Sequence, residues 1–234
     1  MLTAVDARSI CLNARWTGIP NTRWQSRWAA WCHAQRAVYQ FTDNTSQERV
    51  RSVELASRAL KIGGDSTTLA VLGNALSCAH ELEMAENVTR HALRLNGGSA
   101  WAWARNAWLE IYRGRAEPAI ERFTISLDLA PRDPLAFNNY AGLGCAYLHL
   151  GRYGEAARWM TRAIETHPPA GWAHRVLCPI HLLNGNRPEA SRSLAAIRRL
   201  YPDAKASQCA AAAPLPRGDQ DLVAEGLESM GLAA

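Results

Sequence analysis

The chain has 234 residues, a formal net charge of +5 and 48% hydrophobic residues, which exclude a disordered chain and leave room for a sizeable core. The charge is mild and the arginines are scattered, so no nucleic-acid footprint is expected. Six cysteines without a CxxC pair read as reduced, mostly buried thiols of a cytoplasmic protein. They do not suggest a disulfide frame, and the chain has neither a signal-peptide run nor an apolar stretch long enough to span a bilayer.

Residues 1–23 show no clear hydrophobic period and read as an irregular arm. From Trp24, the series Trp24, Trp28, Trp31 marks one side of a helix. Thr45-Ser46-Gln47-Glu48 predicts a capping box at the start of the next helix. A beat then recurs. Segments such as Ala59-Leu60-Lys61-Ile62 and Ala92-Leu93-Arg94-Leu95 are each followed by a helix stopper. The stoppers are Gly64, Gly97, Pro131, Pro168 and Pro202, spaced by 33, 34, 37 and 34 residues. A period near 34 with helical segments on both sides means stacked helical hairpins. The pairs, each a helix A and a helix B, fall at about 24–64, 65–97, 98–131, 132–168 and 169–202.

Turn chemistry supports these bounds. In the third pair Ser99 caps helix A, Gly114 turns the chain and Pro118 falls in the first turn of helix B. In the fourth, Asp133-Pro134 predicts an early start, so the longer spacing reads as one extra helical turn. In the fifth, Gly185-Asn186 turns the chain before Pro188. Small residues recur early in each helix B (Ser52, Ala85, Ala119, Ala156, Ala190). Seven residues on come Ala59, Ala92, Ser126, Ala163 and Ile197, on nearly the same face. Residues 203–217 are rich in Ala and Pro and read as a linker. Residues 218–234 hold a short amphipathic helix that caps the last pair.

No residue set supports catalysis. A nucleophile elbow, a P-loop and an HExxH motif are all absent, and Glu81 and Glu83 stand two apart, pointing different ways on a helix. The tempting constellation is His174, Cys178 and His181, at i, i+4 and i+7 of one helix. These positions match Tyr140, Gly144 and Tyr147 one repeat earlier, so the register assigns them to helix packing, not to a metal. Arg23-Trp24 and Arg27-Trp28 could stack on bases, but aromatics at that spacing read as core or cap. Neither a cofactor nor a membrane partner is implied.

Tyr140, Leu143-Gly144, Tyr147, Gly151, Ala156, Ala163 and Pro168 carry a family resemblance. The pattern is similar to the tetratricopeptide repeat (TPR), with residues 66–202 matching well and 24–64 degenerate. It implies an all-α right-handed solenoid acting as a non-catalytic scaffold for a protein or peptide segment. A narrower resemblance rests on Trp101-Ala102-Trp103-Ala104-Arg105, Pro131-Arg132-Asp133-Pro134-Leu135 and Gly151-Arg152-Tyr153-Gly154-Glu155-Ala156. These resemble the C-terminal repeats of bacterial signalling proteins, which there follow a class III adenylate cyclase or winged-helix domain. That effector sequence is absent here, so the alternative is a stand-alone or truncated regulatory half. In the TPR family the A helices line a concave groove. The resemblance therefore implies a groove of Asn74, Trp101, Ala104, Trp108, Ile111, Asn138, Ala141, Cys145, Trp172 and Arg175, suited to an extended peptide. Trp101 and Trp108 could instead pack on the adjacent repeat or the arm. The family's carboxylate clamp is not expected, because only Asn74 fits its pattern.

Overall fold

The computed structural model describes residues 23–38 and 44–234. The predicted arm lies outside them apart from Arg23, which opens the first helix. Among the described residues there are twelve α-helices and no strand. The first ten form five pairs: α1 (Arg23–Val38) with α2 (Thr45–Ile62), α3 (Ser66–Cys78) with α4 (Leu82–Leu95), and α5 (Ala100–Tyr112) with α6 (Ala116–Leu129). They continue with α7 (Ala136–His149) and α8 (Tyr153–Thr166), then α9 (His174–Leu183) and α10 (Arg187–Leu200). Each pair packs internally, and the first helices also stack on one another through α1, α3, α5 and α7.

The register follows from the small residues. Ser52, Ala85, Ala119, Ala156 and Ala190 are fully buried, as are Ala59, Ala92, Ala163 and Ile197. Glycines on the facing helices permit the approach: a Cβ at Gly73 would lie 2.4 Å from Thr89 Cγ2, and one at Gly144 would lie 3.0 Å from Met160 Cε. Close approach lets bulkier side chains such as Leu72, Phe123 and Met160 fill the layers between, all fully buried. Each contributes roughly 1.5–3 kcal/mol of burial. Polar ties add direction. Asn106 Nδ2 donates to Thr89 Oγ1 (2.9 Å), and Asn139 Nδ2 donates to Ser126 Oγ (2.9 Å). The buried Glu110 carboxylate is held by Arg122 and, at 3.6 Å, by Arg115.

Three expectations need correction. The cap of α2 is Asn44, whose side chain accepts from Gln47 N; Thr45 is already helical. Glu48 is not a capping partner but a buried anion paired with His33 and Arg36. In the fourth pair the added length lies mainly in the turn. Residues 130–135 precede α7, against 96–99 before α5. Asp133 Oδ1 accepts from Leu135 N, which closes a turn and delays the helix to Ala136. Pro134 reinforces this, since it disfavours the helical region for the residue before it.

The third correction is the linker. Residues 203–217 hold a short helix, α11 (Ala206–Ala211), and then a buried run, Ala212 to Leu215. The chain continues into α12 (Arg217–Ser229), which packs on α9. Gly226 permits that approach, since a Cβ there would meet Pro179 Cβ at 2.5 Å. Alanine and proline need few polar contacts and little side-chain ordering, so the segment buries readily once a surface is present.

Candidate partner-binding site

Three of the first helices, α3, α5 and α7, and the 3-10 turn Gly171–Ala173 before α9 bring four of the ten predicted groove residues together. Asn74, Trp108, Asn138 and Trp172 line one recess together with Gln35, Cys78, Arg105, Tyr112 and Pro214. The recess is small, about 40 Å³, because Pro214 of the C-terminal segment lies across it. Asn74 is buried and accepts from Trp31 Nε1 at 3.1 Å. Trp108 is 4% exposed and meets Phe123 edge to face at 5.5 Å, with its indole N–H unbonded. Trp172 is buried, and its carbonyl accepts from Arg175 Nε at 3.3 Å. Asn138 remains half-buried.

The other predicted residues stand elsewhere. Ala104, Ile111, Ala141 and Cys145 are core side chains. Trp101 is half-buried on the N-terminal core beneath the Arg105 guanidinium, 4.3 Å from its ring. Arg175 is buried with its guanidinium 5.3 Å from the Tyr201 ring. Arg27, considered above for stacking on bases, turns inward to Thr68 and Asp65.

A second concavity has no counterpart among the predicted residues. It holds about 750 Å³ and adjoins the recess at Tyr112. One wall comes from Ala37, Thr45, Arg49, His80 and Tyr112; the other comes from the chain between Tyr201 and Gln220. Sequence periodicity cannot find such a site, because one wall comes from residues 37–112 and the other from residues 201–220.

His174, Cys178 and His181 take packing positions on α9. Cys178 and His181 are buried and His174 is half-buried. Burial pushes the Cys178 thiol up to about 12. Burial also lowers the pKa of His174, His181 and His80, with Arg199 and His181 adding to it at His174 and Arg49 at His80. A lowered histidine is neutral in the fold, so its stabilisation is complete above the unfolded value of 6.5. That stabilisation is lost as pH falls below this value. Midpoints of urea unfolding are therefore expected to be lower at pH 5.5 than at pH 7.5. An unchanged midpoint would contradict the lowered values of these three histidines.

The cysteine expectation holds in part. Cys78, Cys145, Cys178 and Cys209 are free and buried, but Cys32 is disulfide-bonded. Spacing along the chain does not show which thiols a fold brings together. Disulfides are rare in cytosolic proteins. No described helix is long and apolar enough to cross a membrane.

No family model and no curated protein matches the chain. Solved structures do. The APC/C hetero-tetramer Cut9-Hcn1 aligns with a TM-score of 0.65 at 14% identity, over 95% of this chain. The chain spans only 39% of that one. PilW, a widely conserved type IV pilus biogenesis factor, aligns with a TM-score of 0.60 at 17% identity, over 86% of this chain and 91% of its own. MamA 41-end from Desulfovibrio magneticus RS-1 gives 0.51 at 17% identity, over 75% and 94%. At these identities the likeness speaks for the fold, which is an all-α solenoid of the TPR type.

Proposed function

We propose that the chain is a non-catalytic interaction scaffold whose inner face binds a segment of another protein. One observation carries the reading: side chains from the first four pairs, with Trp172 ahead of the fifth, line a single recess that shares Tyr112 with a much larger cavity. Preformed concavities of this kind reduce the ordering cost of binding. A cyclase or DNA-binding effector domain in bacterial signalling is the finer form of this reading, and it rests on the sequence resemblance alone.

The test uses the half-buried Asn138. Asn138→Trp adds bulk at the recess without removing a core contact. Quantitative affinity capture is expected to yield partners with the natural chain that the Asn138→Trp chain loses, at an unchanged melting midpoint. Trp101→Ala, outside the recess, is expected to keep them. The same partners on a folded Asn138→Trp protein would sink the reading.

A further inference from the structure

Among the described residues, the lining of the 750 Å³ cavity holds two arginines and one carboxylate. Arg49 stands on its wall with the Nε atom buried and unbonded. Among the described residues no carboxylate lies within ion-pair distance of its guanidinium. Arg217 lines the same cavity, also without an ion pair among the described residues, and Asp203 is the one acid among the described lining residues. A guanidinium partly withdrawn from water without an acceptor is costly, and the cost falls when an anion supplies bidentate acceptors.

His80 adds a second observation. It closes the α3–α4 turn at φ +67°, where the next three pairs place glycine: Gly114 at +67°, Gly151 at +69° and Gly185 at +74°. A side chain in that region is strained, by roughly 1–2 kcal/mol. What the strained residue gains is position: its ring stands edge-on to Tyr112, centroids 5.5 Å apart, on the cavity wall. Glycine would leave that wall open. A strained residue that shapes a cavity motivates a functional reading of the cavity. Desolvation and the neighbouring Arg49 both lower the pKa of His80. The positive charge of the site therefore rests on the two arginines.

We propose that the cavity receives the carboxylate of an acidic partner segment, a Glu or Asp side chain or the chain end, gripped between Arg49 and Arg217. Tyr112, His80 and Tyr201 supply the flat walls for the apolar groups beside it. The volume suits a few residues of peptide and falls within the usual range for ligand sites, roughly 300–1,000 Å³. This inference rests on the reading of the chain as a segment-binding scaffold and names the chemistry of the segment.

The experiment is selection from a displayed library of random dodecapeptides, carried out with the full chain and with an Arg49→Glu/Arg217→Glu variant. The natural chain is expected to enrich peptides rich in Asp and Glu, and the charge-reversed variant to enrich Lys and Arg instead. For one enriched acidic peptide, Arg49→Gln and Arg217→Gln should each weaken binding about tenfold. A second measurement guards against misfolding: both variants should keep the natural circular dichroism spectrum and melt cooperatively. Enrichment of peptides without acidic bias would overturn this inference and leave the scaffold reading standing. No enrichment at all would remove both. A midpoint raised by inorganic phosphate or citrate, with no acidic enrichment, would overturn the peptide assignment in favour of a small-anion site.

Discussion

Gly142→Ala is expected to destabilise the protein by about 3 kcal/mol, although alanine is the better helix former. Position 142 lies inside α7, where replacing glycine by alanine would ordinarily add about 1 kcal/mol of stability. Packing opposes this. A Cβ there would stand 2.1 Å from Phe123 Cζ, with two more ring atoms at 2.4 and 2.7 Å. The ring cannot retreat, because it is fully buried and Trp108 meets it edge to face at 5.5 Å. Overpacking of a closed layer costs typically 1–3 kcal/mol and occasionally more. Urea unfolding decides the sign. Gly142→Ala/Phe123→Leu should recover part of the loss. Gly218→Ala, in a helix but with nothing within 4 Å, should be neutral or slightly stabilising. A stabilised Gly142→Ala protein would mean that the α6–α7 contact is looser than these distances.

Leu227→Ala is expected to cost about 3 kcal/mol and to lower the melting midpoint by roughly 6–12 °C, as a single transition. Leu227 and Val223 are fully buried, so α12 belongs to the same cluster as Met160 and Ile180. A solenoid without a cap exposes the apolar edge of its last pair. Here the cap is held by Gly226 against Pro179 and by the His149–Asp219 contact of 2.6 Å. A loss below about 1 kcal/mol, or a separate early transition, would show that α12 folds apart from the stack.

Much of this fold was legible in the sequence, and the reasons are local. Small residues seven apart on each second helix, with a stopper after each pair, impose one register. That register placed Ala85, Ala119 and Ala156 against their partners and took His174, Cys178 and His181 out of metal chemistry. Asn74, Trp108, Asn138 and Trp172, four of the residues the resemblance implied for a groove, line one recess. Trp101 departs because Arg105 covers it on the N-terminal side. What was not legible depends on contacts distant in sequence. Ala212 to Leu215 has no amphipathic period, so nothing local distinguishes a buried run from a linker; its burial comes from contacts distant in sequence. The larger cavity was hidden for the same reason. The Cys32 disulfide was equally hidden, since it depends on which thiols the fold brings together.

The C-terminal wall of the cavity also sets an order of events during synthesis. A chain is made from its N-terminus, and its early helices can pair as they emerge. Arg49, His80 and Tyr112 are in place by then, yet they enclose nothing until Tyr201 to Gln220 has left the ribosome. A product released before that point would carry five helical pairs and no finished cavity. The second concavity therefore takes shape only once residues 201–220 have been made and have packed.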